Sequence, residues 1–398
     1  MPSNAFSTVF SQGALRDAWR YLLSATSRQS RNTVGVDDVS INDFLSDEKG
    51  QLNRLVRDVR QQSFRFSLLR PHLIPKSNGK DRLICVPTVR DRIVQRALLD
   101  FIATRYADKF ANNVSYGFVK KRGVKKAVVD ACALRAEHPW VFKTDITSFF
   151  DRIDRSRLTS AIRRSIRERS LHETLLGAVS CEIQPAGGNT GRRIKQLGIR
   201  RGLGVRQGMP LSPFFSNIML ADFDRSIETR GLRAVRYADD LIFFADSRDA
   251  CEALAAFCAE QLGRIGLEIP PVAAGTKSVI YAPEQPAEFL GVSLVPITAG
   301  YRVELTRSQI DRVRDQLLAL GSINELVARC ITLPKIGQVL TARKNGYLAA
   351  YDICHNIDAL EHGLADLEQR ILRQLYRDGL HIDLGRLSNV ARTFLGLR

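Results

Sequence analysis

The sequence predicts an α+β fold, in which an antiparallel sheet is surrounded by helices and followed by a helical C-terminal part. Two segments have strand character. Trp140 to Ile146 is a β-branched and aromatic run, and Leu232 to Ala245 places apolar residues on both sides of Ala238, Asp239 and Asp240. The second segment is typical of a hairpin with acids at its tip, so strands and helices together indicate a mixed core.

A helix is predicted between the two strand segments. Ser212 is expected to cap it and Pro213 to occupy its first turn. Apolar residues at helical spacing then define its inner face. They are Phe214, Ile218, Ala221 and Ile227.

Composition changes at two further places. Gln184 to Gly204 is rich in Gly and Arg, which predicts a flexible basic loop. After Pro296, apolar residues recur at helical spacing, which predicts a separate helical module. Its helices are expected over Ser308–Leu320, Ile323–Cys330 and Ile357–Tyr376.

The charge of the chain points to a polyanionic partner. Among 398 residues, 59 Lys and Arg against 42 Asp and Glu give a formal net charge of +17. Residues 146–206 contribute 13 basic against 5 acidic side chains, so this stretch is expected to lie against a phosphate backbone. Seven scattered cysteines without a CxxC pair disfavour zinc and disulfides. No long apolar run or leader is visible, which predicts a cytoplasmic protein without membrane contact.

The acids at the predicted hairpin tip indicate a metal site. Asp239 and Asp240 repel each other beside apolar strands unless a cation lies between them. Asp145 ends the other predicted strand, 94 residues earlier, and would complete a pair of Mg²⁺ sites about 3.5–4 Å apart for in-line phosphoryl transfer. A solvated turn is the alternative for the acid pair taken alone.

The context of these acids resembles reverse transcriptases. Tyr237-Ala238-Asp239-Asp240 is similar to their YxDD box, and Asp145 to Phe150 to their first palm motif. Gln207 to Pro213 resembles their QGxxLSP motif, and Phe289 to Gly291 the hairpin that follows the palm acids.

Upstream segments continue the resemblance in order and are similar to the fingers of bacterial, group II intron-like enzymes. They are Gly35–Ser40, Ile74–Lys76, Gly79–Ile84, Arg92–Leu98 and Ser115–Phe118. The resemblance spans about residues 35–295 and implies a right-hand polymerase. Its parts would be an N-terminal segment and fingers (1–140), a palm (141–297) with a basic insertion (146–206), and a helical thumb (298–398).

The resemblance also implies roles for single residues. Asp145, Asp239 and Asp240, with the Ile146 carbonyl, would hold two Mg²⁺. Phe150 occupies the position of the family's steric gate against ribonucleotides; a core Phe is its alternative. The remaining deoxynucleotide contacts that the resemblance implies are Lys80, Arg82, Gln207, Gly208 and Lys277. Lys277 could also act as a general acid, and an ordinary solvated lysine is its alternative.

Basic side chains are predicted to bind nucleic-acid backbone, with a solvated surface as the alternative. They are Lys120, Lys121, Arg122, Arg155, Arg163, Arg167, Arg192 and Arg193. No DNA-binding or endonuclease segment is seen after the predicted thumb. In this respect the sequence resembles domesticated, defence-associated bacterial reverse transcriptases. That resemblance implies a structured non-coding RNA as template, a DNA product, and a partner protein or homo-oligomer.

The function predicted is therefore an RNA-directed DNA polymerase in bacterial antiphage defence. Three alternatives use the same residues differently. The protein could be an RNA-binding, maturase-like scaffold, a template-independent or protein-primed DNA polymerase, or an enzyme that copies DNA during repair. Intact acids argue against the scaffold, because crowding three carboxylates is costly without a metal.

Overall fold

The computed structural model describes residues 5–75, 79, 81–110 and 112–397. Its N-terminal part is helical and carries one two-stranded antiparallel hairpin, β1–β2. The elements are α1 (Ala5–Val9), α2 (Gln12–Ala25), α3 (Ile41–Ser46), α4 (Glu48–Arg60), β1 (Arg70–Pro75), β2 (Asp81–Val86), α5 (Val89–Arg105), α6 (Ala107–Phe110) and α7 (Val124–Glu137). The predicted nucleotide contact Lys80 lies outside the described residues.

The central sheet confirms the predicted fold class. Its four strands run in the order β4-β5-β3-β6, and every neighbouring pair is antiparallel. The elements of this part are β3 (Trp140–Asp145), α8 (Phe149–Arg152), α9 (Arg155–Ser165), α10 (His172–Val179), α11 (Gly188–Gln196), α12 (Ser212–Thr229), β4 (Arg233–Tyr237), β5 (Asp240–Ala245), α13 (Arg248–Gly263) and β6 (Val279–Tyr281). The chain is thus α+β with an antiparallel sheet.

Both faces of this sheet are buried, which explains why its strands read as continuous apolar runs. Side chains alternate across a strand, so Phe142 and Phe243 pack into the core shared with α9, α12 and α13. Val141 and Ile242 point the other way, into a second core that includes α7 and the C-terminal helices. The two faces of the sheet are therefore covered by two separate hydrophobic clusters.

The C-terminal part starts with a three-stranded antiparallel sheet, not directly with helices. The predicted boundary at residues 297 and 298 falls in the turn that joins β8 to β9, and helices begin only at Arg307. The elements are β7 (Ala287–Phe289), β8 (Val292–Ile297), β9 (Gly300–Leu305), α14 (Arg307–Leu318), α15 (Ile323–Ala328), α16 (Ile336–Ala350), α17 (Ile357–Ala365), α18 (Leu367–Gln374) and α19 (Asn389–Phe394).

Several local predictions need correction. Helix α12 begins at Ser212, whose hydroxyl donates to the Arg206 carbonyl at 2.7 Å and does not cap the helix. On the predicted inner face, Ile218 and Ile227 are buried but Phe214 and Ala221 only partly so.

Longer segments also differ from the prediction. The supposed basic loop 184–204 contains helix α11, since its apolar residues find a face to pack on. The predicted helix Ile357–Tyr376 breaks at Asp366, and α16 was not predicted at all. Within the described part of the chain, no helix is long and apolar enough to cross a membrane.

Candidate active site

Three aspartates meet at one end of the central sheet. Asp145 is the last residue of β3 and lies directly opposite Asp240, the first residue of β5. Asp239 precedes it in the tight turn between β4 and β5, and its carbonyl accepts a 3.0 Å hydrogen bond from the Ile146 amide. The antiparallel register therefore brings together acids that are far apart in sequence.

A buried arginine holds the turn that carries two of these acids. Arg236 is fully buried, and its Nε donates to Asp224 at 2.7 Å. Its Nη1 donates to the Ala238 carbonyl at 3.0 Å, and Nη2 to the Ser115 hydroxyl at 2.9 Å. The Ala238 backbone is left-handed, with φ of 57°, a conformation that costs a non-glycine residue free energy. Arg236 thus fixes a strained residue next to Asp239.

A second loop presses on the same turn. A Cβ atom placed on Gly117 would lie 2.5 Å from the amide nitrogen of Ala238, closer than any side chain tolerates. Tyr116 donates its amide to the Arg236 carbonyl at 2.8 Å, which ties this loop to β4. Residue 117 must therefore be glycine for the turn to keep its place.

Burial and neighbouring negative charge raise the pKa of both Asp239 and Asp240. Burial raises the pKa of Asp239, and the charge of Asp145 raises it further, although Lys277 and Arg82 work against this. Burial also raises the pKa of Asp240, where Lys143 lowers it while Asp239 and Asp145 add to the rise. Such crowding is stable only when cations are close.

Lys277 supplies one of these cations. It lies in the loop just before β6, and its ammonium group donates a hydrogen bond to the Asp145 carboxylate. Partial burial lowers the pKa of Lys277, but the bond to Asp145 and the charges of all three carboxylates outweigh it, so the pKa is raised. The lysine is therefore protonated at neutral pH. It lines a cleft of about 310 Å³ together with Lys143, Asp145 and Asp240.

Three of the predicted nucleotide contacts, Arg82, Gln207 and Gly208, lie on or against strand β2. Arg82, on β2, is exposed and close enough to lower the pKa of Asp239. The Gln207 carbonyl accepts from the Cys85 amide of β2 at 2.7 Å. Gly208 has φ of 106°, and a Cβ there would lie 2.5 Å from the Cys85 carbonyl oxygen. Phe150 is half-buried beside Phe149, with ring centroids 5.5 Å apart.

The predicted nucleic-acid contacts divide into exposed and engaged side chains. Arg155 faces inward, donating to Gly204, Glu182 and Cys181, so its guanidinium is occupied by the protein. Arg122 donates to the carbonyls of Asn112 and Ser115, and Arg193 pairs with Asp81 through two bonds. The exposed side chains are Lys120, Lys121, Arg163, Arg167 and Arg192.

The donor set at the acids suits Mg²⁺, which prefers oxygen ligands and one or two carboxylates per ion. The ammonium group of Lys277 already contacts Asp145, as expected for a site that attracts cations. Among the residues that the structure describes, no group of three or more acidic, His or Cys side chains already converges at ligand distance. Lys277 binds an Asp145 oxygen that a metal would need.

Sequence reasoning missed Arg236 and Asp224, and it included Gly117 only as part of the Ser115–Phe118 segment without its role. All three position the turn that carries the acids. A charged residue inside the apolar run of β4 was the available signal, because both faces of that strand are buried. The partner Asp224 lies one helix earlier and gives no signal of its own.

The family is decided by a match over residues 74–294, more than half of the chain, to the model described as "Reverse transcriptase (RNA-dependent DNA polymerase)". The chain belongs to the reverse transcriptase family. The matched range contains the three aspartates, Lys277 and strand β2, and it begins within β1. This confirms the resemblance and the right-hand polymerase class.

Curated relatives of this reverse transcriptase chain include both mobile-element and compact proteins. It is 31% identical to Protein YkfC of Escherichia coli strain K12 over 225 residues, 55% of either chain. It is 25% identical to the Retron Ec83 reverse transcriptase of Escherichia coli, over 48% of this chain and 57% of that one. It is 24% identical to the group II intron-encoded protein LtrA of Lactococcus lactis subsp. cremoris, over 50% of this chain and 32% of that one. The chain thus spans about half or less of the length of these relatives.

Solved structures give a coarser likeness. A partial Cas6-RT-Cas1–Cas2 complex matches with a TM-score of 0.39 and 19% identity, covering 66% of this chain and 42% of that one. Apo telomerase from Candida tropicalis, truncated from its C-terminal domain, matches with a TM-score of 0.43 and 14% identity, covering 62% and 58%.

Proposed function

We propose that this protein is an RNA-directed DNA polymerase that adds deoxynucleotides to a primer. The observation that supports this most is the meeting of Asp145, Asp239 and Asp240 at the sheet end, within the segment matched by the reverse transcriptase family. A scaffold would gain nothing from bringing three carboxylates to one sheet end, where the pKa of both Asp239 and Asp240 is raised by burial and by neighbouring negative charge.

The proposed mechanism assigns a task to each side chain. The three aspartates, with the Ile146 carbonyl, would hold two Mg²⁺, which would offset triphosphate charge and ease ionisation of the primer 3′-hydroxyl. Arg82 approaches from the fingers side, where a guanidinium suits the incoming triphosphate. Lys277 is protonated and lies at Asp145, so it can donate to the leaving pyrophosphate once it releases that carboxylate.

Sugar selection is proposed for Phe150. Its backbone carbonyl accepts from the Val205 amide at 2.8 Å, and its ring is packed against Phe149, so the ring is held firmly after β3. A fixed ring there collides with a 2′-hydroxyl. Phe150→Ala is expected to admit ribonucleotides, measured as the ratio of kcat/KM for dNTP over rNTP; an unchanged ratio would place the gate elsewhere.

Primer extension tests the activity directly. Purified protein with Mg²⁺ is expected to extend a DNA or RNA primer on an RNA template. Asp240→Asn is expected to lose at least about a thousandfold in rate, because several kcal/mol of charge stabilisation by the metal disappears. Asp315→Asn, an exposed aspartate on α14, is the matched control and should retain full rate. No extension by the unaltered protein on any RNA template would contradict the proposal.

We further propose that the template is a structured non-coding RNA and that the setting is bacterial antiphage defence, in the cytoplasm. Support comes from the likeness to a retron reverse transcriptase and from the exposed basic side chains. Expression with native flanking DNA, beside Asp239→Ala/Asp240→Ala, followed by sequencing of co-purified nucleic acid, names the template. Complementary DNA present only with the unaltered acids supports the proposal. RNA without DNA in both samples favours a scaffold, and DNA that stays attached to peptide favours protein priming.

The defence setting has its own test. Cells that carry the protein with its flanking DNA are expected to lower phage plating efficiency, and Asp239→Ala/Asp240→Ala to restore it. Equal plating with both versions against a broad phage panel would leave the polymerase without a defence role.

A further inference from the structure

Phe118 combines two features that are costly for folding. Its backbone is left-handed, with φ of 62°, which is rare for a bulky side chain. Its side chain is among the exposed large hydrophobic groups, with 54% of its surface accessible to solvent. Neither feature adds to stability, and strain of this kind persists only where surrounding contacts impose it.

The surrounding contacts do impose it. On one side, the Gly117 carbonyl accepts a hydrogen bond from the side-chain Nδ2 of Asn217 at 3.0 Å. On the other side, the backbone amide of Arg122 donates to the Val119 carbonyl at 3.1 Å. The Arg122 guanidinium also donates to the Ser115 carbonyl at 2.9 Å, which ties the two ends of the loop together. The chain is therefore clamped immediately before and after Phe118, and the ring is presented outward by a rigid loop.

That ring lies at the proposed catalytic turn. The ring centroids of Phe118 and Tyr237 are 6.4 Å apart, with the planes tilted by 41°. Tyr237 comes two residues before Asp239, and Gly117 packs on the amide of Ala238. The same loop that carries Phe118 is thus in direct contact with the turn that carries the acids.

Two exposed lysines follow the ring. Lys120 and Lys121 are both solvent-accessible and lie in the turn that the hydrogen bond from Arg122 to Val119 closes. An aromatic face flanked by ammonium groups suits a nucleotide, because the ring packs on base or sugar while the cations meet phosphates. A protein partner would instead be expected to cover a larger apolar patch.

We propose that Phe118 is a nucleic-acid contact of the polymerase cleft, which packs beside Tyr237 against a nucleotide of the primer–template duplex next to the growing end. This inference rests on the proposed polymerase function. Its task is to hold the duplex while the aspartates act, so it affects binding of the duplex more than the chemical step.

Phe118→Asn is the decisive variant, since Asn tolerates the left-handed backbone but removes the ring. We expect a weaker Kd and a higher KM for primer–template, by about ten- to a hundredfold, the usual value of one aromatic stacking contact. The rate at saturating duplex and the Tm should stay close to those of the unaltered protein. Phe118→Tyr keeps the ring and should restore binding.

Phe394→Asn is the matched control, because Phe394 is 88% exposed on α19, in the C-terminal helical part. It should leave duplex affinity unchanged. Equal Kd values for Phe118→Asn and Phe394→Asn would overturn the inference. A lowered Tm, with a Kd that Phe118→Tyr fails to restore, would overturn it as well, in favour of a structural role.

Photocrosslinking identifies the strand. Duplexes that carry 5-iodouridine at single positions near the primer end, in either strand, are expected to crosslink to the peptide containing Phe118. Absence of such a crosslink from every position would contradict the contact. Because Kd and crosslinks are measured without dNTP, they judge this inference even where primer extension by the unaltered protein fails.

Discussion

The proposed catalytic turn, which carries Asp239 and Asp240, and the basic segment of residues 146–206 use their arginines differently. At the turn, Arg236 is buried, pairs with Asp224 and fixes the backbone beside the acids. In the basic segment, Arg155 and Arg206 turn inward onto Glu182, whereas Arg163 and Arg167 face solvent. Charge alone therefore does not reveal the task of an arginine. Burial separates those that position the site from those available to phosphate.

The largest effect is expected from breaking the buried pair. Arg236→Leu leaves the buried Asp224 without its cationic partner, which should cost about 3–5 kcal/mol in the free energy of unfolding. Adding Asp224→Leu should recover most of that stability, because two apolar side chains replace a closed ion pair. Activity should stay low in both, since the Ala238 carbonyl loses its donor.

Urea unfolding and primer extension on both variants separate the two roles. Arg248→Leu, whose exposed pair with Glu252 lies on α13, is the control and should change stability little. Recovery of activity together with stability in the double variant would mean that Arg236 acts only on folding.

Gly117→Ala tests the contact between the loop and the catalytic turn. The new methyl group would meet the Ala238 amide at 2.5 Å, so the turn must move by several tenths of an ångström. Displacement of catalytic groups on that scale is expected to lower kcat by about 10–100-fold. Gly346→Ala, in α16 with no atom within 4 Å of the added carbon, should be fully active. Equal kcat values would show that the turn does not depend on this loop.

Glu182 gives the basic segment a pH-dependent contribution to stability. Burial raises its pKa, but the Gly202 amide and the guanidiniums of Arg206 and Arg155 outweigh this, so the pKa lies below its ordinary value of 4.5. The stabilisation is therefore complete above the ordinary pKa and is lost as pH falls through the lowered one.

Glu182→Gln is accordingly expected to lower the Tm at pH 7 and to differ less from the unaltered protein near pH 3. Thermal unfolding across that range measures it. Glu173 is a 76% exposed carboxylate near Arg65. For Glu173→Gln, the Tm difference from the unaltered protein should not become smaller at low pH. A constant Tm difference at all pH values would contradict the role assigned to the Glu182 ion pairs.

The smallest effects belong to the exposed arginines. Changing Arg163, Arg167 or Arg192 to Gln should lower the slope of log Kd against log salt by about 0.7–0.9 each, the value of one phosphate contact. Arg155→Gln should leave the slope unchanged and lower stability instead, because its guanidinium is bound inside the protein. Equal slopes for all four variants would show that burial does not distinguish the arginines that contact phosphate from those that do not.

The sequence predicts the sheet and its acids because their signals are local. Adjacent Asp239 and Asp240 between apolar strands predict a hairpin tip, and the antiparallel register with β3 then places Asp145. It does not predict the Arg236–Asp224 pair, since nothing in either neighbourhood specifies the other. Nor does it predict that Arg155 points inward, because a helix face rich in arginine reads as solvent-exposed until its packing is known.

Loop geometry is the other part that the sequence leaves open. Gly117 and Phe118 belong to a motif that resembles the family, but only the fold shows that one presses on Ala238 and the other is held left-handed. The domain limits at 140 and 297 also depend on packing. Helix α7 shares a core with the C-terminal helices, and β8 pairs with β9 across the second limit.

The central claim is that the aspartates carry the chemistry while the exposed basic side chains hold the nucleic acid. Single-turnover incorporation of one dNTP on an RNA template, at increasing duplex concentration, tests it most directly. Asp240→Asn should keep the duplex Kd and lose the rate at saturation. Arg163→Gln/Arg167→Gln/Arg192→Gln should weaken the Kd and keep that rate. The reverse assignment, or a full rate with Asp240→Asn, would contradict the account.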